Sequence, residues 1–64
     1  MNTQRENEIL NLLIQGKTNK EIADLLAISI HTVKTHIEHL YLKNNVNSRV
    51  QLAVKAVLTD ELIK

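Results

Sequence analysis

Apolar residues recur along this chain at intervals of three and four, the period of a helix with one buried face. The clearest stretch is Ser29 to Lys43. There Val33, Ile37, Leu40 and Tyr41 fall at i, i+4, i+7 and i+8 and make one stripe. Lys34, Thr35, Glu38 and Leu42 fall on the far side, with His31 and Thr32 at the exposed N-terminal end. Ser29 stands just before the run, where its hydroxyl can accept a backbone N–H and cap the helix. The pattern predicts a helix over 30–44 with one face pinned to a core and the other carrying short and medium polar groups.

Three further helices are predicted, each with its own start signal. Thr3-Gln4-Arg5-Glu6 is a capping box, in which the Thr hydroxyl takes the Glu N–H and the carboxylate reaches back to the Thr N–H. Ile9, Leu12 and Leu13 follow as the buried stripe, with Leu10 beside them, and Gly16 supplies a left-handed C-terminal cap. The first helix is placed at about 4–15. Thr18-Asn19-Lys20-Glu21 repeats the box and opens a short helix, about 19–26, with Ile22, Leu25 and Leu26 as its core stripe and a small Ala23 that lets a crossing helix approach. Ala27-Ile28-Ser29 then makes a three-residue turn into the third helix, which is helix-turn-helix spacing. Ile28 is expected to plug the core between the two. The third helix ends at Asn44-Asn45, because Asn tolerates the left-handed conformation. Ser48-Arg49-Val50-Gln51 is a third box pattern and opens a helix over about 49–58, with fraying after Thr59-Asp60. Leu52, Ala53 and Ala56 are its core candidates. Val50, Val54 and Val57 form a second stripe, which either completes the core or meets a second copy of the chain. No period-2 alternation occurs, so the fold class is all-α: a four-helix helix-turn-helix bundle in one domain over 1–64.

Composition narrows the chemistry. At 64 residues a chain buries only about 60% of its unfolded surface and needs efficient packing or oligomerisation. There is no Cys, hence no disulfide framework, which fits a reducing cytoplasm. No apolar run reaches the roughly 18 residues of a membrane span. The net charge of +1 would not by itself suggest nucleic acid. The single aromatic, Tyr41, argues against base-stacking platforms. His36 and His39 lie at i, i+3, with His31 a turn earlier, but no carboxylate or Cys completes a metal site, so neither metal nor cofactor is expected. No nucleophile–base pair and no Gly-rich phosphate loop is present, so the chain is not read as an enzyme.

The residues resemble the LuxR/GerE-type helix-turn-helix family, the C-terminal effector domain of response regulators and quorum-sensing regulators. The match runs through Thr3-Gln4-Arg5-Glu6, Glu8-Ile9-Leu10, Gly16, Asn19-Lys20-Glu21-Ile22-Ala23, Leu26, Ile28-Ser29, Thr32-Val33-Lys34-Thr35-His36, Tyr41, Lys43 and Val46-Asn47-Ser48-Arg49. It covers nearly the whole chain, and Asn-Lys-Glu-Ile-Ala at this distance from Thr-Val-Lys-x-His is highly specific. The resemblance implies a DNA-binding transcription regulator whose third helix is the recognition helix and whose fourth supplies a homodimer contact. Such modules usually follow a receiver or ligand-sensing domain. Two positions depart from the pattern: Asn2 where an apolar staple is usual, and Asn44 where Leu is usual. Glu38 stands where relatives often carry a basic residue.

On that reading, base-edge candidates are Lys34, which can donate to guanine O6 and N7, Thr35, whose methyl can meet a thymine methyl, and Glu38, which can accept from cytosine N4. Glu38 can equally pair with Lys34 at i−4, and this salt bridge is expected in the free protein. Phosphate candidates are Thr18, Asn19, Lys20, Ser29 and Thr32, at two helix N-termini where free N–H groups favour anions, although Thr18 and Ser29 also serve as caps. His36 orients either a helix contact or a phosphate, and Lys43 is either a phosphate contact or a solvated lysine. Arg49 is expected to be structural, tying the fourth helix to a carboxylate such as Glu6 or Glu8. The dimer candidates are Val50, Val54 and Val57. The competing reading is a helix-turn-helix-shaped protein-interaction module that docks on RNA polymerase in the manner of a sigma factor, without strong DNA binding of its own.

Overall fold

A computed structural model of the chain describes residues 2–63, with side chains through Thr59. It holds four helices: α1 (Gln4–Ile14), α2 (Asn19–Leu26), α3 (Ile30–Lys43) and α4 (Arg49–Ile63). Among the described residues there is no strand. The first three helices match the expected spans to within a residue. The fourth does not stop at Thr59-Asp60 but continues to Ile63; the chain has no Gly or Pro after Gly16 to stop it.

The first three starts are capped as their sequences demand. Thr3 and Glu6 form a full capping box, as do Thr18 and Glu21. The Ser29 hydroxyl accepts from Thr32 N–H at 3.0 Å and lies 2.9 Å from the Thr32 hydroxyl. The fourth start departs from the expected box. The Ser48 hydroxyl accepts from Gln51 N–H at 3.2 Å, but Gln51 Oε1 accepts from Asn47 N–H at 3.1 Å, one residue before the cap.

Three helix ends share one solution. Gly16, Ala27 and Asn45 all take left-handed backbone, with φ of 86°, 56° and 55°. In each case the next residue's N–H reaches back five positions: Lys17 to Leu12, Ile28 to Ala23 and Val46 to Tyr41, at 3.0–3.1 Å. These are Schellman closures, which satisfy carbonyls that a helix end would otherwise leave unpaired. They also turn the chain sharply enough for α2 and α3 to be joined through only three residues.

The core consists of Ile9, Leu13, Ile22, Ala23, Val33, Ile37, Leu40 and Leu52, with Leu10, Leu12, Leu26, Ile28, Tyr41, Val46 and Ala53 packed against it. One expected core residue is outside: Leu25 is 60% exposed. The reason is rotational. Ile22 and Ala23 are both buried, and at about 100° per residue a helix centred between them carries Leu25 away from the core. The small Ala23 therefore lies at a close helix contact, and Leu25 does not. At the other departure, Asn44 folds its side chain back and donates from Nδ2 to the Leu40 carbonyl at 2.8 Å. Its own carbonyl accepts from Lys55. Hydrogen bonds there replace the apolar contact that a Leu would make.

Ala27 is strained where Gly16 is not, since a Cβ in left-handed backbone costs about 1–2 kcal/mol. Glycine's extra unfolded-state entropy offsets about half of that. Ala27→Gly is therefore expected to raise stability by about 0.5–1 kcal/mol, read as a higher urea midpoint. Gly16→Ala should lower it by about 1 kcal/mol through backbone strain alone, because an added Cβ meets nothing within 4 Å. An unchanged midpoint for both would contradict the left-handed assignment.

Candidate nucleic-acid interface

The buried stripe of α3 decides what the helix shows to its surroundings. Val33, Ile37 and Leu40 are buried and Tyr41 is half-buried, so rotation about the helix axis is fixed. His31, Lys34, Glu38, His39 and Leu42 are left exposed, with Thr32, Thr35 and His36 at the margins. The three base-edge candidates thus share the outward side.

Lys34 and Glu38 do not form the ion pair expected between them: among the described residues the ion pairs are Arg5–Glu8, Lys43–Glu6 and the longer His39–Glu6 contact. Both side chains are exposed, where such a pair gains little against water and loses side-chain entropy. Lys34 and Glu38 are consequently each available to a partner. Thr35 donates its hydroxyl proton to the His31 carbonyl at 3.1 Å, so what it offers a base edge is its methyl group. His36 Nδ1 is buried without a hydrogen-bond partner among the described residues. That leaves Nε2 as the ring nitrogen for a polar contact.

The N-terminus of α2 presents Thr18 and Lys20 exposed and Asn19 half-buried. Thr18 Oγ1 accepts from Glu21 N–H, and Glu21 Oε1 accepts from Thr18 N–H at 2.8 Å. The latter bond, followed by the side-chain bond, lowers the Glu21 carboxyl below its usual range. Ser29 and Thr32 sit correspondingly at the start of α3.

Two cations lie elsewhere than the sequence suggested. Lys43 donates to Glu6 Oε1 at 2.7 Å, and Glu6 is only 3% exposed. This lysine, read as a phosphate contact or a solvated side chain, instead ties the end of α3 to the start of α1. The physical reason is that Glu6 belongs to the core stripe of α1, at i, i+3, i+7 with Ile9 and Leu13, and a buried carboxylate requires a charged partner. That spacing was present in the sequence; the partner 37 residues on has no local signal. Arg49 is structural as expected, but its acceptors are Asn19 Oδ1 at 2.8 Å and the Lys17 carbonyl, not Glu6 or Glu8. No group of three or more metal-ligating side chains gathers among the described residues.

On α4, Val50, Val54, Val57 and Leu58 are all exposed, Val50 at 72% and Val54 at 52%. With Val46 and the Asn45 turn, three of them line an open groove of about 500 Å³. The core therefore does not use this stripe.

A capped helix pair joined by a tight turn, with the second helix exposing a polar face, defines a helix-turn-helix domain. Residues 3–56 match the family of bacterial regulatory proteins of the luxR type, and the chain belongs to that family. It is 56% identical over 54 residues to the transcriptional regulatory protein LiaR of Bacillus subtilis, covering 84% of this chain and 26% of LiaR. It is 50% identical over 52 residues to the nitrate/nitrite response regulator protein NarP of Escherichia coli, covering 81% and 24%. With the spore germination protein GerE of B. subtilis it shares 45% identity over 60 residues, covering 94% of this chain and 81% of GerE. The chain thus spans about a quarter of the length of LiaR and NarP but most of GerE. LiaR and NarP are regulators by name, in keeping with the family of regulatory proteins that the chain matches.

Glu6 yields a pH prediction. Its carboxyl is lowered from 4.5 to about 2, first by the Lys43 hydrogen bond and then by the Thr3 N–H, against the opposing effect of burial. A carboxyl depressed in the folded state stabilises fully above its unfolded value and loses that contribution as pH falls through the folded one. Glu6→Gln is expected to lower stability by about 1–2 kcal/mol at neutral pH, a figure kept modest because Lys43 is 36% exposed. The gap between variant and wild type in urea midpoint should be constant above about pH 5 and close between about pH 4.5 and 2. A gap that persists unchanged at acid pH would place the stabilisation elsewhere.

Proposed function

We propose that this domain binds double-stranded DNA sequence-specifically for a transcription regulator, with α3 in the major groove, as a homodimer on an inverted repeat. The observation that carries the reading is the outward face of α3. Among the described residues Lys34 and Glu38 have no ion-pair partner and Thr35 bonds only to the His31 carbonyl, on a helix whose rotation the core has fixed. Membership of the luxR family supports it.

In this reading the work divides between positioning and specifying. Thr18, Asn19 and Lys20 at the start of α2, and Ser29 and Thr32 at the start of α3, meet phosphates through side chains and free N–H groups. His36 adds its Nε2. Lys34 reaches guanine O6 and N7, the Thr35 methyl meets a thymine methyl, and Glu38 accepts from cytosine N4. Glu38 also repels phosphate, so it discriminates against sites that lack the cytosine. Lys43 would reach a phosphate only by giving up its bond to Glu6.

The apolar stripe of α4 supports the dimer. Four exposed aliphatic side chains on one side of a helix are more than a 64-residue domain leaves to water without use. Two copies joined there set their recognition helices about one DNA turn, roughly 34 Å, apart. With a net charge of only +1, one half-site is weak, and linked half-sites gain by effective concentration. The work is placed in the cytoplasm; among the described residues no helix is long and apolar enough to cross a membrane.

Two variants test this with a fluorescent inverted-repeat duplex titrated at several salt concentrations. Affinity of the wild type should fall with salt at about −0.9 per neutralised phosphate. Lys34→Ala should weaken binding to the preferred site by about 1–3 kcal/mol. Val54→Arg should sediment as a monomer and bind the two-site duplex at least tenfold more weakly, while a single half-site is bound as before. Salt-independent or undetectable binding by the wild type would favour the polymerase-docking reading. A Val54→Arg protein that still pairs would remove α4 as the interface.

A further inference from the structure

We infer that Arg49 is a positioning residue for DNA binding, acting from the start of α4 by fixing which end of the Asn19 side-chain amide faces outward. The inference rests on the DNA-binding reading above and adds a residue to it. Asn19 is the first residue of α2, half-buried, at the helix end assigned to phosphate. A carboxamide can present either its oxygen, which repels a phosphate, or its NH₂, which donates to one. By itself the side chain has no reason to choose.

Arg49 makes the choice. Its Nη1 donates to Asn19 Oδ1 at 2.8 Å, across 30 residues of sequence. A guanidinium has five N–H donors, no acceptor, and a charge it does not lose. It can hold only the oxygen of the amide, so Nδ2 is the end left for a ligand. Flipping the amide would set NH₂ against guanidinium and forfeit a charge-assisted bond, which is among the stronger kinds.

The second contact secures the first. Arg49 Nη2 donates to the Lys17 carbonyl, in the short link between the Gly16 turn and the Thr18 cap. Lys17 N–H is already bonded to Leu12 at 3.1 Å, and Thr18 is locked with Glu21. The Lys17–Asn19 backbone is therefore held from α1, from within α2 and from α4. The side chains at this end divide accordingly. Thr18 Oγ1 accepts from Glu21 N–H and keeps its hydroxyl proton to donate, while Lys20 and Asn19 Nδ2 are the other donors left to meet an anion.

Arg49 also lies next to Val50, the first residue of the exposed α4 stripe. The residue that orients the phosphate contact and the surface assigned to the second copy thus belong to one rigid turn of helix.

The test is a double-mutant cycle on DNA affinity, using Arg49→Lys, Asn19→Ala and the combination, with the same inverted-repeat duplex. Lysine keeps the charge but cannot hold two acceptors in a fixed fork. Each single variant is expected to bind about fivefold more weakly, the effect of one hydrogen bond of about 1 kcal/mol. In the Asn19→Ala background, Arg49→Lys should cost less than twofold. The salt slope should be unchanged by Arg49→Lys. In the free protein, the Asn19 side-chain NH₂ resonances should shift in Arg49→Lys, which checks the contact itself; the coupling in DNA affinity is the readout that a merely structural role would not produce.

Equal losses in both backgrounds would overturn the inference, as would an Asn19→Ala protein that binds like wild type. A salt slope reduced by about 0.9 in Arg49→Gln would make Arg49 a phosphate contact itself and also overturn it. If Arg49→Lys does not fold, Arg49→Gln takes its place in the cycle, with the same outcomes. In all these cases the wild type still binds, which separates them from failure of the DNA-binding reading, where the wild type itself shows no salt-dependent affinity and both fall together.

Discussion

What the outward face of α3 can present to a partner follows from the burial of one stripe on the same helix. Val33 and Leu40 are fully covered and Ile37 nearly so. They meet Ile9 and Leu13 from α1, Ile22 and Ala23 from α2, and Leu52 from α4 in one core. A helix has a single rotational freedom about its axis, and three buried anchors remove it. The complement of the stripe is then outward by geometry. Removing any one of these side chains would cost several kcal/mol through the cavity it leaves, a large part of the stability of so small a domain.

Polar ties complete what the core begins, and they draw on the few cations available. The chain has eight Lys and Arg residues. Lys43 is held by Glu6, Arg49 by Asn19 and Lys17, and Lys55 by the Asn44 carbonyl. Each of these ties one helix to a residue outside it: α3 to α1, α4 to the start of α2, and α4 to the end of α3. Of the other cations, Lys20 is the second residue of α2, beside the positive end of its dipole, and Lys34 lies in the second turn of α3. A domain of low net charge can therefore still present locally positive ends.

The sequence made local structure legible wherever one residue type answers one local demand. Two full capping boxes, the Gly16 and Asn45 turns and the buried stripes of α1 and α3 depend on residues within five positions of one another, and all appear as read. Long-range pairings were not legible in the same way. Nothing near Glu6 announces Lys43, and nothing near Arg49 announces Asn19. Leu25 failed for a different reason. A two-turn helix fits more than one rotation, and whether Leu25 or Ala23 faces inward is decided by how closely α3 packs, which no local pattern encodes. The Lys34–Glu38 pair had the right spacing but lacked the burial that would make it worth forming. For the site itself, residue types and spacing named the candidates. The structure added which atoms are already spent: the Thr35 hydroxyl, the Lys43 ammonium and the Asn19 oxygen.

The central claim is that the face of α3 opposite its buried stripe meets DNA. Its most direct test is to follow backbone amide signals of the domain while an inverted-repeat duplex is added at low salt. The account predicts that the largest shifts fall at Lys20, Thr32, Lys34, Thr35 and Glu38, with Val33, Ile37 and Leu40 following only weakly. Shifts confined to α4, or spread without regard to the α3 face, would contradict it.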